Sequence, residues 1–212
     1  MKPLILIGGG GHCKSVIEAA ESAGYSILGV LDKPEEVGKT VLSTKVIGVD
    51  DDIPQLVDKA EFIVTVGFIK NPNLRIALYE RVKNAGGVMV NVIASTAHVS
   101  SHAKMGGGIS ILHKAIVNAG ATIGNNVIIN TSAIIEHDAV VGDHTHISTG
   151  AIVNGEAKIG ERCFIGSQVV IANCISICDD VIIGAGSVVV KDIRIPGTYV
   201  GNPAKRIKGT II

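Results

Sequence analysis

The chain has 212 residues, with 19 Lys and Arg balanced by 19 Asp and Glu, so its formal net charge is zero. That balance gives no pull toward a nucleic acid or another polyanion. Hydrophobic residues make up 47% of the chain but aromatics only 3%, so the core must be aliphatic, and no apolar run approaches the roughly 20 residues that span a membrane. Met1-Lys2-Pro3 leads directly into a strand-like run with no cleavage signal, so a cytoplasmic protein without membrane insertion is expected. The four cysteines (Cys13, Cys163, Cys174 and Cys178) contain no C-x-x-C pair and are expected as small buried residues rather than a disulfide framework.

The first ninety residues alternate strand and helix. Leu4–Ile7 reads as a strand, followed by Gly8-Gly9-Gly10-Gly11 and a helix from about His12 to Ala23, closed by Gly24. Further strands are expected at Ser26–Leu31, ending at Asp32, at Phe62–Val66, and at Val88–Val92; a helix is expected from about Pro72 to Asn84. This alternation implies a small parallel α/β sheet, a Rossmann-like domain over residues 1–92. A glycine run between a strand and a helix is where backbone N–H groups and the helix dipole can hold a phosphate. Asp32 stands where an acid can meet a ribose or a base. A full dinucleotide fingerprint would need a third glycine at Cys13, which favours a nucleotide-linked substrate over NAD. Arg75, after Gly67 and Asn71, is a candidate phosphate partner.

From Ile93 every sixth residue is aliphatic or Met, through Val117, Ile135, Ile147, Ile165 and Ile183 to Ile195, for eighteen positions without a break. The position four later is usually small, as at Ala115, Ala133, Ala151 and Cys163, and Gly or Asn often follows the anchor. No α-helix gives a strict period of six. Three short strands per turn of a triangular prism do. Residues 93–195 therefore predict a parallel β-helix of about six coils, roughly 29 Å tall at about 4.8 Å per stacked strand. Gly and Asn after the anchor are expected to supply the backbone angles of the tight corners.

Three of the seven histidines, His137, His144 and His146, lie close together at outward positions of the repeat. His137 is flanked by Glu136 and Asp138. A neutral imidazole can accept a proton from an attacking amine or hydroxyl, and either carboxylate could hold its tautomer. His146 is expected to donate a hydrogen bond to a developing oxyanion. Asn118, Glu136 and Asn154 differ by eighteen and should stack as a polar ladder beside His137. Residues 196–212 form the close, in which the adjacent cations Lys205 and Arg206 are candidates to meet phosphates.

The whole chain resembles the bacterial hexapeptide-repeat sugar acyltransferases that include sialic-acid O-acetyltransferases and UDP-4-amino-sugar N-acetyltransferases. The shared parts are Ile7 to His12, Asp32, Gly67 with Arg75, Asn130-Thr131-Ser132, Ile135-Glu136-His137, His146, Gly155 and the closing Gly201-Asn202-Pro203-Ala204-Lys205. The resemblance implies a left-handed β-helix and a homotrimer with acetyl-CoA lying between subunits. It implies a nucleotide-sugar site at Gly8, Gly9, Gly10, Gly11, His12, Asp32, Gly67 and Arg75. It also implies His137 as general base and His146 as a contact to the acetyl group. Gly155, Gly166 and Ala185 would line the CoA path, together with Lys205 and Arg206. Some members carry Glu after the catalytic His, where this chain has Asp138, so the partner of His137 stays open between Glu136 and Asp138.

The expected reaction is direct transfer from acetyl-CoA to the amino group of a UDP-4-amino-sugar, with no acyl-enzyme and no metal. The alternatives are O-acetylation of sialic acid, a γ-class carbonic anhydrase-like protein holding zinc through His137, His144 and His146, and a non-catalytic nucleotide-sugar-binding protein.

Overall fold

The structure is a computed structural model and describes residues 2–207. β1 (Leu4–Ile7), α1 (Gly11–Ser22), β2 (Ile27–Leu31), β3 (Thr40–Val41), β4 (Thr44–Gly48), α2 (Ile53–Leu56), β5 (Glu61–Val64) and α3 (Asn73–Asn84) form the first domain. The sheet order is β3-β4-β2-β1-β5, parallel except for the β3–β4 hairpin. β1 is buried on both faces, which is why it reads as an unbroken apolar run. Leu4 and Leu6 pack beside α1 with Val16 and Ile17, whereas Ile5 and Ile7 pack with Phe62, Leu78 and Val82.

Two features differ from expectation. Val88–Val92 is not a fourth strand of this sheet: Met89 makes a single parallel bridge to Phe62, and Val92 already pairs with Ser110 of the next domain. The β3–β4 hairpin and α2 occupy a stretch with no expected elements. β3 is only two residues long, and β4 is five residues that include Lys45 and Gly48, so their periodicity is faint.

The remainder is a three-sided parallel β-helix. Face 1 is an eight-stranded sheet running from Val92–Ile93 through Ser110–Ile111, Ile128–Ile129, His146–Ile147, Phe164–Ile165 and Val181–Ile183 to Gly197–Val200, with Lys205–Arg206 antiparallel at its end. Face 2 has six strands, among them Ile116–Val117, Ile134–Ile135 and Ile152–Val153. Face 3 has five, among them Thr122–Ile123, Val140–Val141 and Lys158–Ile159. Register is eighteen residues per coil up to Val189, so that Ile135 lies on Val153 and Val117, and Ile147 on Ile165; the last coil is shorter, pairing Val181 with Gly197 and Ile183 with Tyr199. The anchors from Ile111 to Val189 and the alanines from Ala115 to Ala157 form one continuous core. Burying an Ile or Val anchor contributes about 1.5–3 kcal/mol.

The repeat ends earlier than its sequence period. Ile195 is 56% exposed, and Ile193 turns inward instead and bridges Ile177. Gly197–Val200 continues face 1, so the start of the 196–212 segment is a strand of the prism; residues 208–212 lie outside the described residues.

The corners also work differently from expectation. The residues in left-handed backbone are three after the anchor. Most are not glycine: Lys114, Asn126, Ser132, Asp138, His144, Glu156, Arg162, Gln168, Cys174 and Asp180 all have φ between 55° and 61°. Glycine directly after the anchor serves close stacking of coils. A Cβ on Gly142 would lie 2.6 Å from the Gly160 carbonyl carbon, and one on Gly166 would lie 2.6 Å from the Ile183 oxygen.

Candidate active site

A pocket of about 950 Å³ lies where the first domain meets face 1. Gly8, Gly9, Gly10, Gly11, His12, Asp32 and Gly67 all line it, with Lys33, Phe68, Lys70, Leu74 and His146. The sequence places the glycines there for distinct reasons. Gly8 has φ +102°, and a Cβ on it would strike Val66 Cγ2 at 2.4 Å. Gly10 and Gly11 would meet nothing within 4 Å, so the N-terminus of α1 opens toward the pocket and offers N–H groups and positive dipole to an anion. Asp32 braces this loop: its Oδ2 accepts from Gly9 N at 3.0 Å and its Oδ1 from Lys33 N at 2.9 Å.

Arg75 is corrected by the structure. It is 1% exposed; Nη1 donates to the Val64 and Val66 oxygens and Nε donates to the Asn126 oxygen. Burial lowers its pKa to about 9. It joins β5 and α3 to the β-helix and is not presented to a phosphate. Lys33 and Lys70, which the sequence reading passed over, are the cations on the pocket wall.

His146 projects outward from face 1 and is covered by the first domain. Its ring lies 5.2 Å from that of Phe164, 5.7 Å from Phe68 and 6.2 Å from His12, centroid to centroid. Nδ1 is 3.0 Å from the Phe68 oxygen, and Nε2 is 3.3 Å from Asn130 Nδ2. Burial pushes its pKa down to about 4, so the ring is neutral at pH 7. Nδ1–H then donates to the carbonyl, and Nε2 accepts from Asn130. Neither nitrogen is left to donate to a thioester oxygen, which removes the expected oxyanion role in this arrangement. His12 is similar: burial lowers its pKa to about 3, and its Nε2 is enclosed without a partner. His144 is half-buried, edge-on to Tyr79, with Nδ1 3.0 Å from Asn126 Nδ2.

His137 occupies the edge between faces 2 and 3, the edge opposite face 1. It is 58% exposed in its side chain, and its Nδ1 is 3.0 Å from Asp138 Oδ2. That hydrogen bond, foremost, raises its pKa. The open choice of partner is thereby resolved: Asp138 holds the ring, while Glu136 accepts from Asn118 Nδ2 at 2.8 Å. The expected ladder is half formed, because Asn154 Nδ2 turns to the Ile171 oxygen. The three histidines that suggested a zinc site diverge to two edges and a face. Among the described residues, no group of three or more His, Cys, Asp or Glu could hold a metal ion.

Gly155 lies directly against His137: a Cβ there would be 2.6 Å from Nε2. Gly166 and Ala185 adjoin each other on the edge between faces 1 and 2. One chain therefore does not bring Gly155, Gly166 and Ala185 to one edge. Arg206 Nη2 donates to the Pro196 oxygen and covers Gly197, and Lys205 is exposed. Beside His137 runs a groove of about 430 Å³ lined by Asp138, Glu156, Lys158, Cys174 and Ser176. Cys174 is exposed there, contrary to the expectation of burial. The eighteen-residue spacing of 138, 156 and 174 was the signal that could have found this groove.

Comparison with known proteins agrees with this geometry. Residues 3–82 match the PglD N-terminal domain model, and residues 156–191 match the bacterial transferase hexapeptide model (six repeats). No curated protein gives a sequence match. The fold superposes on PerB from Caulobacter crescentus, crystallised with CoA and GDP-perosamine, with TM-score 0.91 and 31% identity over 98% of each chain. A histidine-to-asparagine variant of the same perosamine N-acetyltransferase gives 0.92 and 30%, covering 99% of this chain and 98% of that one. The acetyltransferase domain of PglB from Neisseria gonorrhoeae, crystallised with acetyl coenzyme A, gives 0.90 and 32%, covering 97% and 99%. With its glycine-rich α/β domain and its left-handed parallel β-helix, the chain belongs to the hexapeptide-repeat sugar acetyltransferases.

Proposed function

We propose that the protein transfers the acetyl group of acetyl-CoA to the amino group of a nucleotide-linked amino sugar. The pocket at the N-terminus of α1 holds the nucleotide, with Lys33 and Lys70 facing its diphosphate. His137 Nε2 takes the proton from the amine as nitrogen attacks the thioester carbonyl carbon. The tetrahedral intermediate collapses, the carbon–sulfur bond breaks, and the departing thiolate takes the proton held by His137, so CoA leaves as its thiol. Asp138 holds Nδ1–H and favours the imidazolium that forms.

The observation that carries this reading is the exposed His137–Asp138 pair, with Nε2 directed toward Gly155 beside an open groove. Its position also supports a shared site. The pocket is on face 1 and the pair is on the opposite edge, so acceptor and base meet only when a second copy supplies one of them. Head-to-tail contact of this kind closes into a ring, and a homotrimer is the ring this reading adopts. Acetyl-CoA then runs between neighbouring prisms, along the Gly155 edge of one and the Gly166–Ala185 edge of the next.

The test is CoA release followed with a thiol reagent, offering UDP-4-amino-sugars, GDP-4-amino-sugars and free sialic acids in parallel. Release with a nucleotide amino sugar supports the reading, and the better nucleotide names the base. Release with sialic acid alone moves the chemistry to oxygen, and release with none contradicts the assignment.

A further inference from the structure

The geometry points to Gly120 as a positioning residue: its missing side chain leaves the space in which the Asp138 carboxylate reaches the His137 ring. Gly120 lies one coil below Asp138 in the same corner column, eighteen residues apart. A Cβ on Gly120 would stand 2.2 Å from Asp138 Oδ1, closer than real Cβ contacts come, and a tight 3.1 Å from its Cγ. The other carboxylate oxygen, Oδ2, is the one bonded to His137 Nδ1 at 3.0 Å.

Backbone conformation does not account for glycine here. Gly120 has φ +77°, yet the matching corner position holds Asp138, Glu156 and Cys174 at φ 58° to 61° in the three coils above. This prism accepts side chains in left-handed backbone at that corner. What differs at 120 is that the carboxylate of the residue one coil above occupies the place a Cβ would take. Gly155, one coil above His137, bounds the niche on the other side, with its absent Cβ 2.6 Å from Nε2. The pair is thus seated between two glycines that belong to neighbouring coils and make no hydrogen bond to it. The charged groups around the ring are Asp138, Glu136 and Glu156, with Lys158 across the groove.

The inference rests on His137 as base only for its effect on rate; the geometric part stands alone. Gly120→Ala is the experiment, with Gly150→Ala as control. Gly150 has φ +66°, and its nearest neighbour to a new Cβ is Gln168 Cγ at 3.6 Å, an ordinary contact. Both variants carry the backbone cost of alanine at positive φ; only one displaces the carboxylate. The obstacle is the end of an exposed side chain, so Asp138 swings away and the fold survives.

The titration of the His137 ring is read by NMR, with its signals assigned from the His137→Gln variant. The expected result is a lower His137 midpoint in Gly120→Ala, an unchanged one in Gly150→Ala, and no further fall when Asp138→Ala is added to Gly120→Ala. The acid limb of the kcat/KM profile shifts to lower pH in step, and kcat falls about tenfold to a hundredfold, the usual size for a misplaced catalytic pair. An unchanged His137 midpoint in Gly120→Ala overturns the proposal. So do independent, additive effects of Gly120→Ala and Asp138→Ala. A shifted midpoint with unaltered turnover keeps the positioning and instead removes His137 as the base. Should Gly120→Ala not fold, the Gly120→Ala/Asp138→Ala pair decides: folding of the pair supports the carboxylate as the obstacle, and a second failure overturns it.

Discussion

His146 and His137 are nine residues apart, and both project outward from the same prism, yet they have opposite chemistry. His146 is roofed by the first domain, neutral, with both nitrogens engaged. His137 stands in solvent at the far edge, and an acidic partner raises its pKa. Half a coil of β-helix separates a ring that can only brace a wall from one that can accept a proton. The lesson is that covering, not residue type or local sequence, decides what a histidine does. On a solenoid the cover comes from elsewhere: here from another domain, and at the edge, in the reading above, from another copy.

The largest expected effect separates the two histidines by function. His137→Ala should lower kcat by about 10²–10⁴ with an unchanged melting temperature. Retention of near-normal turnover would remove His137 as base. Conversely, His146→Ala should cost stability before it costs proton transfer, seen as a lower denaturation midpoint.

Next in size is Arg75, the other buried group of the covered side. Arg75→Ala leaves the Val64, Val66 and Asn126 carbonyls without their donor. A loss of about 3 kcal/mol is expected in chemical denaturation, the upper end for leaving buried acceptors without a partner. A loss below about 0.5 kcal/mol, the size of an ordinary surface substitution, would contradict the assignment of Arg75 as the clasp between domains.

The covered side also sets the pH dependence of stability. His12 and His146 have folded pKa values of about 3 and about 4, below the ordinary 6.5, with burial as the leading cause. The unfolded chain takes up protons as pH falls through 6.5 while the folded chain does not. Stability is therefore full above pH 6.5 and is lost as pH falls from 6.5 toward 4, by on the order of 3 kcal/mol for each ring. Denaturation midpoints that stay level between pH 7 and 4.5 would show the two rings are not held neutral.

The smallest effect belongs to the exposed side. Asp138→Asn removes the main cause that raises the His137 pKa. The acid limb of the rate profile should move to lower pH, while the maximum falls because the imidazolium loses its partner. Glu136→Gln, which alters the Asn118 contact instead, should move the limb less. The reverse order would reassign the partner.

Much of this was legible in the sequence. The strict six-residue period up to Val189 gave the prism and its coil register, because three short strands per coil meet that period and an α-helix does not. The glycine run gave the pocket floor, since Gly8 and the open Gly10 and Gly11 need no side chain there. What stayed hidden depends on long-range cover. The burial of Arg75, His12 and His146 follows from the docking of one domain on face 1, which no local pattern records. The positive-φ corners were misread because glycine is the usual occupant of such backbone, whereas Asp138, Glu156 and Cys174 occupy it here. The partner of His137 came from a side-chain rotamer, which spacing does not fix.

The most direct test of the shared site is complementation between two inactive chains. His137→Ala lacks the base; Gly10→Glu sets a carboxylate at the helix N-terminus, where a new Cβ meets nothing within 4 Å, so it is expected to fold but repel the diphosphate. Each is purified alone, then both are unfolded and refolded together, and CoA release is measured with the amino-sugar substrate. Random mixing in a closed ring leaves about a quarter of interfaces with an intact base facing an intact pocket, so activity should return to about a quarter of the unmodified protein's. A mixture as inactive as its two components would show that base and pocket must come from one chain, which would contradict the site described here.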